Sequence, residues 1–416
     1  MNNAQTKLGL IEKGPGFKSG LADLKKYCTG KSFTAGVVAA IFGCTGPALV
    51  TINASTAAGY TMEQTVSWLF GIYVFGGLIS LIMALYFKMP IVGAFSIPGA
   101  SMLATSLVGY SFNEASGAFI MAGVIVLLLG VTGLIGKVMR FLPLPIVMGM
   151  IAGVMLRFGT NIVTSTVASP IICGTAIIGY FVIPKFIKKL SPVLAALICG
   201  VIAIICTGGL NIESFNFSYI APQLVAPKFN VASILSVSIP LAALVVGAEN
   251  AQAVGVLFAQ GYKVPINAMT IISGIGGICS GIFGAHNANI AGPMTAICSS
   301  DAAGESKEER YVAALINGCC FITFGILASF ALGFVKAIPS GLINVLAGLA
   351  MINVLIGSFK EAFTSNHYTL GAFVALIIGA SNISILSIGS AFWALLGGVI
   401  ISLLCEYKDF DFQKEK

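Results

Sequence analysis

Charge is scarce in this 416-residue chain: Asp, Glu, Lys and Arg together make up 9% of it, while 57% is hydrophobic. Soluble domains carry about 25% charged residues, so the chain lacks the polar surface to remain in water. A secreted, nuclear or cytosolic globular protein is excluded, as is a disordered one. Histidine and tryptophan are rarer still, with two of each. There is no His-Glu-x-x-His run, no Cys-x-x-Cys pair with a His partner and no Ser/His/Asp set at depth. That speaks against a metal site, a resident cofactor and an intramembrane enzyme. A G-x-x-x-x-G-K-[ST] loop is also missing, so a nucleotide-driven pump is not expected. The first thirty residues are polar and Lys-rich, without the apolar stretch of a cleavable leader.

What the chain has in abundance is apolar runs. The formal charge of +7 is scattered between them, which fits a polytopic membrane protein and not a nucleic-acid binder. Ten cysteines lie mostly inside these runs and read as small core residues. A helix needs about 20 apolar residues to cross about 30 Å of hydrocarbon, and the run Ala118 to Ile135 is uncharged throughout. Reading outward gives spans at 33–54, 62–87, 98–109, 113–136, 144–165, 169–187 and 192–207. After the polar stretch 208–231 come 232–259, 264–283, 290–302, 309–334, 339–358, 368–388 and 389–405. The expected fold is therefore all-α and polytopic, with about fourteen transmembrane segments. With the N-terminus placed in the cytoplasm, nineteen of the 22 Lys and Arg fall on that side, and only Arg157, Lys228 and Lys336 fall opposite. That bias predicts cytoplasmic termini.

The spans repeat. Seven precede the polar stretch and seven follow, and an odd number makes the second copy enter from the opposite face. In each copy the third span is short (98–109 and 290–302) and follows a Gly-rich approach, GAFSIPGAS at 93–101 and GAHNANIAGP at 284–293. The sequence Arg140-Phe141-Leu142-Pro143 lies 196 residues before Lys336-Ala337-Ile338-Pro339. The plan is a tail (1–32), repeat 1 (33–207), an extracytoplasmic linker (208–231), repeat 2 (232–406) and a second tail (407–416). Inverted repeats with interrupted helices are the architecture of secondary transporters. Half-helices starting near Pro98-Gly99 and Ile290-Ala291 would aim electropositive N-termini at the midplane. Phe95–Ile97 and Asn287–Asn289 would be the facing extended pieces.

Buried charge marks function in a membrane. Glu249 is the one acid near the middle of a span, with no basic residue beside it, and is expected to take up a proton readily. Asn250 follows it. His286, flanked by Asn287 and Asn289, is a candidate for substrate or proton work or for capping the second half-helix. Thr45-Gly46-Pro47 reads as a kink, with Thr45 a candidate for the cavity wall. His367 and the run Glu305 to Arg310 read as solvated loop.

The segments FSIPGASMLATSLVGYSFNEASGAFI (95–120), LRFG (156–159), QGYKVP (260–265) and GAHNANIAGPMTAICSSDAAGESKEERYVAALINGCCF (284–321) resemble the BenE-type benzoate/proton symporters. The wider relatives are nucleobase transporters and sulfate permeases, which share a seven-plus-seven inverted repeat. The resemblance implies a core domain (33–137 and 232–335) holding substrate and a gate domain (138–207 and 336–406), with dimerisation through the gate. It also implies a substrate site at Ser96, Gly99, Ala100, Glu249, Asn250, Asn287 and Asn289, beside Pro98 at the start of the first half-helix. The chain departs from the benzoate-type pattern at Glu249, where those members tend to carry Gln and nucleobase transporters commonly carry Glu.

These features lead to the expectation of a proton-coupled symporter for a small aromatic carboxylate in a bacterial-type inner membrane, in contact with lipid and with the proton as coupling ion. An ionised Glu249 would repel a carboxylate, so a nucleobase/proton symporter is the alternative. A passive channel through the same fold is the alternative from another class.

Overall fold

In lipid, every backbone N–H and C=O must find a partner within the protein, which restricts long apolar runs to helices. The computed structural model describes residues 11–134, 143–187, 192–207, 219–336, 338–381, 383–385 and 388–412. The charge-map residues Lys7, Lys137, Arg140, Lys188, Lys189, Lys414 and Lys416 lie outside the described residues, as does linker segment 208–218.

The first half comprises α1 (Phe17–Tyr27), α2 (Gly30–Ala57), α3 (Met62–Phe87), β1 (Gly93–Phe95), α4 (Ile97–Ser106) and α5 (Phe112–Thr132). It continues with α6 (Leu144–Ala168), α7 (Pro170–Phe186) and α8 (Pro192–Thr207). The second half opens with α9 (Val231–Phe258), followed by α10 (Ile266–Gly281), β2 (Ala288–Ile290), α11 (Gly292–Ser299), α12 (Tyr311–Ile326) and α13 (Ala328–Lys336). It closes with α14 (Ser340–Phe363), α15 (Thr369–Ser381), the short pair β3 (Ser384–Ile385) and β4 (Ile388–Gly389), α16 (Ser390–Cys405) and α17 (Tyr407–Phe412). Elements α2–α12 and α14–α16 trace the fourteen expected spans.

Four details differ from the sequence reading. The N-terminal tail holds α1, and α2 already starts at Gly30. The expected span 309–334 divides at Leu327 into α12 and α13. The eighth span is interrupted by π turns at Ile234–Ser238 and Val245–Asn250. Helix α2 passes through Pro47 as one helix, with the Thr45 hydroxyl turned back onto the Ile41 carbonyl at 2.8 Å.

The two halves interlock. Helix α3 packs on α12, α5 on α10, and α6 on both α14 and α15. At the α5–α10 seam the backbones nearly touch: a Cβ on Gly274 would lie 2.4 Å from the Leu127 nitrogen. Packing without a hydrophobic drive between helices depends on such close approach. The repeat shows in the backbone as well. Pro143, before α6, has φ −58° and ψ 137°, and Pro339, before α14, has φ −55° and ψ 138°.

The half-helices are the interrupted elements. β1 and β2 pair antiparallel, with Gly93 opposite Ile290, Ala94 opposite Asn289 and Phe95 opposite Ala288. Their free backbone groups at depth are taken up by side chains. Ser80 Oγ accepts from the Gly93 N–H (2.8 Å), Ser273 Oγ from Ile290 (3.2 Å) and Thr295 Oγ1 from Val92 (3.2 Å). Around this pair lies the fully buried aromatic core of Trp68, Tyr73, Phe95, Phe119 and Phe321. Val163, Val167, Ile171 and Phe186 point outward, as lipid-facing side chains do.

Candidate functional site

The two half-helix N-termini meet at one carboxylate. Glu249 lies in the second π turn of α9, where the backbone steps out of register, and its side chain is buried. Its Oε1 accepts the Ile97 N–H at 3.2 Å and its Oε2 the Gly292 N–H at 3.4 Å. Those are the first amides of α4 and α11, the donors that a helix start leaves without an internal partner. The next residue in each is proline, Pro98 and Pro293, which has no N–H to satisfy. At the third position of α4, Gly99 donates to the N-cap Ser96 Oγ at 3.0 Å. Ala291, the N-cap of α11, offers no side-chain acceptor.

Glu249 borders a cavity of about 650 Å³ between α2, α4, α9 and α11 on one side and α6 and α14 on the other. Phe42, Pro98, Met148, Ile151, Ile297 and Val354 give it apolar walls; Gln252, Asn353, Ser358 and Glu361 supply polar groups. No basic side chain lines it among the described residues. Its α14 wall is the C-terminal part of that helix and its α6 wall the N-terminal part, so it lies toward the face that carries the chain ends. Toward the opposite face, Asn53 of α2 donates to Asn344 of α14 at 2.8 Å.

His286 does not face the cavity. Its Nδ1 accepts from the Trp68 indole N–H at 2.8 Å, and an indole only donates. The proton therefore sits on Nε2, which donates to the Ser96 carbonyl at 3.0 Å. Fully buried, with Trp68, Phe95 and Phe119 packed edge-on, the neutral ring holds the start of α4 in place.

The remaining predicted residues divide. Pro98 lines the cavity with Glu249. Ser96 and Ala100 are fully buried, and Gly99 packs against Leu241, so all three shape the site from behind. Asn250 accepts from Ser273 Oγ at 3.2 Å, and its Nδ2 has no partner among the described residues. Asn289 donates to the Ile290 carbonyl at 2.7 Å within the strand pair, and the Asn287 amide lies unpartnered against Gly277 of α10. Thr45 is not among the lining residues; Phe42, three residues earlier, takes that place.

One loop reading is corrected at Arg310, and the loop residue His367 gains a partner. Arg310 is buried and donates to the Ser299 carbonyl (2.7 Å), the Gly304 carbonyl (3.0 Å) and Gln260 Oε1 (3.0 Å), besides pairing with Asp301. It ties the C-terminus of α11 to the end of α9, where a cation also complements the helix dipole. His367 is engaged by Asp409, at 2.9 Å. Sequence reasoning missed Asn353 and Glu361. A span ending at 358 leaves Glu361 in a loop, whereas α14 continues to Phe363. Gln252 carried a usable signal, three residues after Glu249 and hence on its helix face.

Residues 27–404 match the family described as the benzoate membrane transport protein, BenE. The inner membrane protein YdcO of Escherichia coli is 31% identical over 376 residues, covering 89% of this chain and 96% of the relative. The benzoate membrane transport protein of Acinetobacter baylyi is 26% identical over 380 residues, covering 91% and 96%. Among solved structures, the transmembrane domain of the cyanobacterial bicarbonate transporter BicA aligns with a TM-score of 0.59 at 18% identity, covering 90% of this chain and 96% of that one. SLC26A9 aligns at 0.61 and 14% identity, covering 93% and 67%. Murine Slc26a9, an anion transporter captured in the inward-facing state, aligns at 0.56 and 14%, covering 97% and 72%. At these identities the likeness is one of fold: the seven-plus-seven inverted repeat.

Proposed function

The chain belongs to the benzoate membrane transport protein family, and we propose that within this family of transporters it carries a small aromatic carboxylate together with a proton, by alternating access, across a bacterial inner membrane. The observation that carries the reading is the Glu249 carboxylate astride both half-helix N-termini at the end of an apolar cavity without a base. An ionised Glu249 and a substrate carboxylate compete for the same electropositive ends, since both are acceptors and two like charges there repel. Protonation of Glu249 neutralises the acid and frees one of the amides of Ile97 and Gly292 for the substrate, so proton and anion arrive together. The aromatic ring then occupies the apolar walls.

Alternating access follows from the division of the walls. Helices α2–α5 and α9–α13 form the core carrying the half-helices, and α6–α8 with α14–α16 form the gate. Both termini are assigned to the cytoplasm, so the cavity is cytoplasm-facing. The bond between Asn53 and Asn344 at the far face supports a carrier over a passive channel. A nucleobase is the second reading, favoured by the amides of Gln252 and Asn353 beside an acid.

Uptake into proteoliposomes under an imposed pH gradient tests the proposal. Benzoate should accumulate when the trans side is alkaline, and uracil or xanthine should not. Benzoate uptake indifferent to the gradient rejects the coupling, and accumulation of uracil or xanthine in its place selects the second reading.

A further inference from the structure

The two faces of the core–gate boundary differ in charge. Near the chain termini the cavity holds two acids, Glu249 and Glu361, and no base among the described residues. At the opposite face, a smaller recess of about 350 Å³ surrounds the Asn53–Asn344 bond. Its polar lining is Asn53, Thr56, Tyr60, Thr65, Ser340 and Asn344, with no ionised group among the described residues. An anion thus meets neutral hydrogen-bonding groups at one mouth and a carboxylate at the other.

Glu361 is exposed on α14, seven residues beyond Val354, which is about 10 Å along the helix axis. No salt bridge engages it among the described residues. Lys360 is its immediate neighbour, but adjacent helical positions diverge, and Lys360 is not part of the wall. From α6 the facing side chains are Leu144, Met148 and Ile151, and from α11 Pro293 and Ile297, all uncharged. The other acid lining the cavity is Glu249 on α9.

We propose that Glu361 is a specificity-determining residue: its charge weakens binding of the anionic substrate in the conformation open toward the chain termini, without acting on neutral analogues. This rests on the carboxylate reading above. Glu249 decides whether the inner site accepts the anion, while Glu361 sets how tightly the anion is held from that side. Gradients still set the direction of net flux. The consequence is an asymmetry in affinity, with a weaker apparent affinity from the Glu361 side.

The test is equilibrium binding to the full chain in nanodiscs, with benzoate and its neutral analogue benzamide as probes, in the wild type, Glu361→Gln and Glu361→Lys. Removing a unit charge from a partly hydrated mouth predicts benzoate binding tightened by about two- to fivefold in Glu361→Gln. Glu361→Lys should tighten it further, benzamide should be unchanged, and raised salt should shrink the benzoate difference. An unaltered benzoate affinity in both variants, or an equal shift for benzamide, overturns the proposal while leaving the carboxylate reading intact. Failure of the wild type to bind benzoate at all overturns both.

Discussion

Replacing Glu249 with glutamine removes the charge while keeping the shape. The native carboxylate accepts two amide bonds, at 3.2 and 3.4 Å. Both are long for N–H···O bonds, so each is credited at the low end for a charged acceptor, about 1.5 kcal/mol. Glutamine retains one carbonyl acceptor and turns an NH₂ toward the other amide, so one bond is lost. The expected cost is about 1.5 kcal/mol, roughly a tenfold change in an equilibrium. Functionally, the substituted side chain imitates the protonated acid permanently: one amide is left free for the substrate, but no proton can be released. In proteoliposomes loaded with unlabelled benzoate, exchange with external labelled benzoate should continue. Accumulation driven by a pH gradient should fall to the level of empty vesicles. Wild-type accumulation by Glu249→Gln would refute the reasoning, because the proton would then have to travel by another group.

Three further outcomes follow from the same geometry. Trp68→Phe leaves the His286 Nδ1 as a buried acceptor without a donor and should cost about 1–3 kcal/mol, read as a lowered melting temperature with weaker benzoate binding. Asn53→Ala removes the side-chain bond closing the far face, worth about 0.5–1.5 kcal/mol, and should raise labelling of a cysteine placed at Thr56 by about two- to tenfold. Lys88, hydrogen-bonded to Asp23 of α1, holds that carboxyl below its usual value of 3.8. A depressed acid stabilises the folded state above its unfolded value and loses that contribution as pH falls through the folded one. Amide-exchange protection across Phe17–Tyr27 should therefore hold steady above pH 3.8 and decline below it; protection that declined on raising the pH instead would contradict the pairing.

The spans were legible because an uncharged run of twenty residues has one solution in hydrocarbon. The half-helices were legible from Gly and Pro punctuation, though the extended piece lies two residues earlier than Phe95–Ile97: pairing runs from Gly93 to Phe95, and Ile97 is already helical. Glu249 stood out as a lone acid at depth. What escaped were partners set by long-range folding. Trp68 and Ser96 meet His286 across 218 and 190 residues, which no spacing rule reaches. Arg310 sits in a charged run that reads as solvated, yet the carbonyls at the end of α11 draw it into the protein. Glu361 was lost at a helix end, where local sequence constrains structure least: α14 runs past 358 to Phe363, and that last turn forms the cavity mouth.

The central claim is that an aromatic carboxylate and a proton share one site through Glu249. Calorimetric titration of the nanodisc-embedded protein with benzoate, in buffers of different ionisation enthalpy at neutral pH, counts protons taken up on binding. The account predicts about one proton per benzoate bound in the wild type and none in Glu249→Gln. Benzoate binding without proton uptake in the wild type would contradict it.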